Sequence, residues 1–261
     1  MKVVFAFATL LALIVVVSCP AADDEKWVTI TGQVVLAEGE KIPVPQVIDL
    51  RDDPGCKTKE PLIDERFLVN AKNRGIKNAF VWITTVPPVD GRAGPFPQDR
   101  IHPKLLKPEP EVVIQMVGCR YEPHAVGARA GQIMVLRNTS RHPHNPNWSS
   151  KANPMGSLVF PPGQDLRHEA RLVADRLPME IRCNVHYWMN AWVRVFDHPY
   201  FAITDADGKF EIKLAPTGKY HLYIWHEAIG FKDGAKGRNG EPIELKDAKH
   251  ELGKIAIKET K

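Results

Sequence analysis

Residues 179–196 read MEIRCNVHYWMNAWVRVF. The two ends, MEIRCNV (179–185) and AWVRVF (191–196), alternate apolar and polar residues with the period of half-buried strands. A short loop separates them. Cys183, His186 and Met189 follow one another at intervals of three residues. A strand ending in Cys183 and a strand starting near Ala191 bring all three side chains to one end of a β-sheet.

The rest of the chain continues the pattern. KWVTITGQVVLA (26–37), IKNAFVWITTV (76–86), EVVIQMVG (111–118), GQIMVLRNT (131–139) and HEARLV (168–173) read as strands bounded by Gly, Pro or Asn. YFAIT, KFEIKL, KYHLYIWHE and GKIAIKE complete roughly eleven short strands, with no convincing amphipathic helix. An all-β protein of β-sandwich architecture is expected. DADG (205–208) reads as a hairpin turn. The proline-rich stretch 87–110 reads as an exposed excursion or linker. The charged, glycine-punctuated stretch 232–252 reads as a surface loop.

The 261 residues suffice for one large or two small domains. Residues 1–22 have a basic start, an apolar run and small residues before an acidic stretch, which is the pattern of a secretory signal peptide. Val16-Val17-Ser18-Cys19 resembles a bacterial lipobox and would make Cys19 a lipid anchor. Ordinary cleavage near Ala21 or Ala22 is the other reading. Either implies a periplasmic or secreted protein. Without Lys2, 34 basic residues stand against 31 acidic ones, and a balance of +3 gives no argument for nucleic acid. The mature chain keeps Cys56, Cys119 and Cys183. An odd thiol in an oxidising compartment needs a use. Cys183 is the one beside metal-ligand residue types, so Cys56 and Cys119 are expected to pair. Two buried, reduced thiols are the alternative.

A thiolate, an imidazole and a thioether suit copper better than magnesium or calcium. The second imidazole of a His2Cys set must come from elsewhere. LRNTSRHPHNPNW (136–148) runs from a strand into a loop with His142 and His144. Two residues apart, they cannot both project the same way from extended backbone. His144 is preferred, because Asn145 beside it can tie the two loops together.

NTSRHPHN followed by CNVHYWM resembles the cupredoxins, the plastocyanin and azurin group, over about residues 111–196. The resemblance implies a Greek-key sandwich and one mononuclear type 1 copper held by His144, Cys183, His186 and Met189. The His-to-Met gap is shorter than in the small blue proteins and closer to the copper domain of cytochrome oxidase subunit II. The second cysteine of that two-copper centre is missing here. Met189 has a second reading, as a plain core methionine. Tyr187 and Trp188 read as loop-packing aromatics, and His124 as a polar surface residue. His124, His198 and His226 are candidates for a second metal site.

PYFAITDADGKFEIKLAPTGKYHLYIWHEAIGF (199–231) is similar to the second half of a carboxypeptidase regulatory-like (transthyretin-like) sandwich. VTITGQVVLA and NAFVWITTV resemble its start. Residues 27–86 plus 197–261 are therefore expected to form that sandwich, with the copper segment between its halves. The expected function is one-electron transfer to and from a redox partner protein, not catalysis. A glycan- or protein-binding module with copper stored or absent is the alternative. A copper enzyme would need a second metal site.

Overall fold

The computed structural model describes residues 27–50, 53–57, 59–85 and 94–258. The signal segment 1–22 and Cys19 lie outside the described residues. Those residues hold seventeen strands and no α-helix. In chain order the strands are β1 (Trp27–Leu36), β2 (Phe80–Thr84), β3 (Glu111–Val117), β4 (Arg120–Glu122), β5 (Ala125–Arg129) and β6 (Ile133–Asn138). Next come β7 (Pro146–Ser149), β8 (Gly156–Ser157), β9 (Asp165–Arg171), β10 (Met179–Cys183), β11 (Asn190–Phe196) and β12 (Phe201–Ile203). The last are β13 (Lys209–Pro216), β14 (Gly218–His226), β15 (Gly230–Phe231), β16 (Glu241–Leu245) and β17 (Lys249–Ile257). No helix among the described residues is long and apolar enough to cross a membrane.

The strands form four sheets around two apolar cores. Sheets β13-β1-β17 and β12-β2-β14-β15, with β16 beside β14, enclose Val28, Ile30, Val81, Ile83, Ile212, Leu222 and Ile224. Sheets β4-β3-β6-β9 and β5-β11-β10-β7-β8 enclose Ile114, Met116, Leu136, Ile181 and Val193. Each pair is a β-sandwich, with alternate residues of both sheets meeting in the middle. The first draws on both ends of the described chain and the second on its middle. Pairings are mixed: β3 with β6, β5 with β11 and β1 with β17 run parallel.

An aromatic layer joins the two sandwiches. Phe80, Trp82, Tyr223 and Trp225 of the first meet Ala125, Trp192 and Phe196 of the second. The Arg194 guanidinium lies 3.8 Å from the centre of the Trp82 ring and 4.7 Å from that of Phe196, a buried cation–π arrangement.

Three segments depart from their sequence reading. Residues 205–208 do make a tight turn, with the Asp205 carboxylate accepting the N–H groups of Asp207 (2.8 Å) and Lys209 (2.9 Å). The strands beside it separate, however: β12 pairs with β2 and β13 with β1. The turn is a corner between sheets, because Thr204 is drawn inward by Ile76 O and Ala79 N–H. The proline-rich stretch is exposed at most of its positions over 94–110 but is pinned to the fold at three. Phe96 and Ile101 are buried in the first core, and His102 N–H donates to Tyr200 Oη. Its apolar residues outweigh its prolines. The stretch 232–252 contributes β16 and the start of β17. These are exposed edge strands, whose charged alternation hides their period.

Candidate metal centre

β10 ends at Cys183 and pairs with β7 on one side (Cys183 opposite Pro146) and β11 on the other (Arg182 opposite Asn190). The connection 184–189 is closed by two backbone hydrogen bonds. Met189 N–H donates to His186 O at 2.9 Å, and Cys183 N–H donates to Met189 O at 3.0 Å. That closure turns His186 back over Cys183. His144 precedes β7 and is clamped by a two-way bridge to Phe160, with bonds of 3.0 and 2.7 Å. Asn145 ties the loops: its carbonyl accepts Asn184 N–H at 2.9 Å, its side-chain oxygen accepts the Asn184 amide, and its own N–H points at Cys183 Sγ from 3.5 Å.

The result is a buried triangle. His144 Nδ1 and His186 Nδ1 stand 3.0 Å apart, and Cys183 Sγ lies 4.0 Å from the first and 3.7 Å from the second. Exposure of the three residues is 0%, 2% and 4% for His144, His186 and Cys183. A trigonal first-row ion about 2.0 Å from each nitrogen and about 2.3 Å from sulfur needs edges of about 3.5 and 3.7 Å. The sulfur edges of 3.7 and 4.0 Å come close to that size, and the nitrogen–nitrogen edge of 3.0 Å is shorter.

Proton bookkeeping points the same way. His186 Nε2 faces Asp53 Oδ2 at 2.8 Å, and an ionised carboxylate only accepts. His144 Nε2 faces Ser140 Oγ at 2.8 Å, and the proton of that hydroxyl is directed to Asn138 Oδ1, also at 2.8 Å. Both imidazoles therefore carry their proton on Nε2. Their Nδ1 lone pairs face each other and the sulfur. Three electron-pair donors in a dry pocket repel one another until a cation, or a proton in its place, lies between them. Burial works to raise the Cys183 thiol, but when that proton rests on an imidazole Nδ1, hydrogen bonds from His144 and His186, with those from the backbone of His186 and Asn145, outweigh burial and bring the thiol down to about 5. The donor set is that of a thiophilic first-row metal, and the residues fit one.

The structure thus brings together His144, Cys183 and His186. Met189 is 1% exposed and lies in the same core as Cys183; the contacts that place it on the loop are its backbone bonds to His186 and Cys183. His142 stays outside the triangle, and its carbonyl accepts Asn138 Nδ2 at 2.8 Å. Cys56 and Cys119 form a disulfide, and its sulfurs lie within 4.8 Å of a His186 nitrogen. Trp188 packs on His186 at 5.4 Å between ring centres and donates Nε1–H to Cys119 O at 3.1 Å.

Sequence reading missed Asp53 and Ser140. Asp53 stands in no motif; its only signal is its place three residues before Cys56. His124 is a correction: it is buried and contacts the Glu227 carboxylate of the other sandwich, which also accepts Asn190 Nδ2 at 3.0 Å. Its tight contact with Glu227 removes it from the surface. His198 and His226 are buried apart from the triangle. Each uses Nδ1 to accept a backbone N–H, from Tyr200 (3.0 Å) and Ala228 (3.2 Å).

A scan against protein-family models and a search of curated proteins both find no match. Among solved structures, the chain is similar to a novel purple cupredoxin from Nitrosopumilus maritimus at 16% identity, covering 32% of this chain and 97% of that one, with a TM-score of 0.27. Amicyanin from Paracoccus versutus matches at 18% identity over 34% of this chain and 84% of that one, TM-score 0.29. A copper-containing nitrite reductase from Thermus scotoductus SA-01 matches at 18% identity over 42% of this chain and 25% of that one, TM-score 0.30. At these identities and scores none of them assigns a family or a function.

Proposed function

We propose that the chain is an exported type 1 copper protein that carries single electrons between partner proteins of the bacterial periplasm or envelope. The observation that carries this is the buried triangle of His144 Nδ1, His186 Nδ1 and Cys183 Sγ, with edges of 3.0, 3.7 and 4.0 Å. Met189 is the axial ligand in this proposal. Copper bound there would supply a one-electron couple at a His2Cys site.

The chain's own residues do the rest. The Phe160 bridge, the Asn145 bonds and the closed 184–189 loop hold the ligands in one geometry, so little rearranges when charge changes. Burial excludes water and competing anions from the triangle. Beside it, Tyr187 (81% exposed) and Val185 (57% exposed) offer a partner an apolar approach to the loop. The proposed role is carriage, not catalysis.

In this proposal residues 27–86 and 197–261 are a carboxypeptidase regulatory-like sandwich, interrupted by a copper sandwich at 111–196. Pairing of β1 with both β13 and β17 supports it. Export is proposed from the leader sequence and supported by the Cys56–Cys119 disulfide.

The test is the visible and electron paramagnetic resonance spectrum of the mature protein after one equivalent of Cu(II). An intense thiolate-to-copper band with narrow copper hyperfine splitting is expected, and Cys183→Ser should abolish it. A colourless protein with ordinary tetragonal copper would refute the proposal. So would an intense band that survives Cys183→Ser.

A further inference from the structure

The turn that ends at Cys56 does more than close a disulfide. Asp53 N–H donates to Leu50 O at 3.2 Å, and Asp53 O accepts Cys56 N–H at 3.1 Å. Cys56 is in turn fastened to Cys119. This anchored turn delivers Asp53 Oδ2 to 2.8 Å from His186 Nε2, on the edge of the ring that points away from Cys183 and His144. With the disulfide and Trp188 beside it, the carboxylate leaves His186 only 2% exposed.

We propose that Asp53 is a positioning residue of the metal centre: it holds the Nε2 proton of His186 and so keeps the Nδ1 lone pair of that ring aimed at the triangle. The proposal rests on reading the triangle as a metal site. A ring with Nε2–H free to rotate or to carry its proton on Nδ1 would present the wrong atom. A carboxylate acceptor forbids the second and restrains the first. It also makes the imidazole a stronger donor, because negative charge at Nε2–H raises electron density at Nδ1. Carboxylates placed behind metal-bound histidines act in this way, and their removal lowers metal affinity about 10–100-fold. Ser140 does the same for His144, but as a neutral hydroxyl, so the two rings are unequal and His186 is the better donor.

The experiment uses the mature protein and two variants, Asp53→Ala and Asp53→Asn. Two quantities are read. The first is Cu(II) and Zn(II) affinity by competition with a chelator. The second is the His186 Nε2 proton in the NMR spectrum of the metal-free protein. In the wild type that proton should be downfield and slow to exchange. Asp53→Ala should lose it and weaken both metals about 10–100-fold. Asp53→Asn keeps an acceptor oxygen without the charge, and should retain the proton while losing part of the affinity. If Asp53→Ala fails to fold, Asp53→Asn decides by its affinity. Affinities within twofold of wild type, or an unchanged Nε2 proton in Asp53→Ala, would overturn the proposal. If the wild type itself binds no copper, the proposed function fails instead, and the NMR measurement still decides whether Asp53 holds the His186 proton.

Discussion

Acid should weaken the first sandwich through a histidine outside the candidate metal triangle. His226 closes the β14–β15 turn and is 1% exposed. Its Nε2 donates to Lys77 O at 3.0 Å and its Nδ1 accepts Ala228 N–H at 3.2 Å. The second bond requires the neutral ring, whereas the first is open to either form. Burial, only partly offset by Glu227, pushes it from its ordinary 6.5 down to about 4. Above pH 6.5 the ring is neutral folded or unfolded, and its bonds contribute fully. Below 6.5 only the unfolded chain takes up the proton, so stability falls until about pH 4. One unit is about 1.36 kcal/mol, so acidification from pH 8 to pH 5 removes about 2 kcal/mol through this one ring. Domain stabilities of about 5–15 kcal/mol make that a large fraction. His226→Gln offers the same donor and acceptor without a titrating group. Guanidinium unfolding of both proteins at pH 8 and pH 5 is the assay. The loss on acidification should be about 2 kcal/mol smaller in the variant. An equal loss in both would show that the ring is not held neutral and would refute the reasoning.

Other outcomes follow from single features. Replacing Cys56 and Cys119 together by Ala opens a loop with a separation of 63 residues, and chain entropy puts the cost at about 4 kcal/mol in denaturant unfolding. Gly75→Ala places a Cβ 1.9 Å from the Asp207 carbonyl oxygen, where two backbones cross; a loss of about 3 kcal/mol is expected, and a thermal midpoint equal to wild type would contradict it. Met189→Leu should keep the visible band while raising the reduction potential, read by voltammetry; loss of the band would make Met189 essential to the site.

The period of the strands was legible because each strand carries its own alternation, as MEIRC and NAWVRVF do. Their assignment to sheets was not. Nothing within DADG distinguishes a hairpin from a corner; the difference lies in Thr204, whose partners Ile76 and Ala79 come from a distant segment. The apolar anchors Phe96 and Ile101 were masked by prolines around them. The convergence of the candidate triangle was legible for Cys183 and His186 because one short loop carries both, and for His144 because it immediately precedes β7, the strand that pairs with β10. Asp53 was not, since its place depends on where the Cys56–Cys119 disulfide fixes a turn from another part of the chain.

The two sandwiches are mechanically one at the metal loop. β11 begins at Asn190, the residue after Met189, and ends at Phe196 in the aromatic layer between the cores. Asn190 Nδ2 bonds Glu227 Oε2 at 3.0 Å, and His124 contacts the other oxygen of the same carboxylate. Glu227 follows His226 in the turn of the first sandwich. The end of the 184–189 loop is therefore braced from the first sandwich, which supplies none of the triangle's three residues. That brace explains why a buried carboxylate at the interface is tolerated: both its oxygens have partners, as a charge taken out of water requires. If acid loosens the β14–β15 turn, Glu227 is the residue through which the change is expected to reach Asn190.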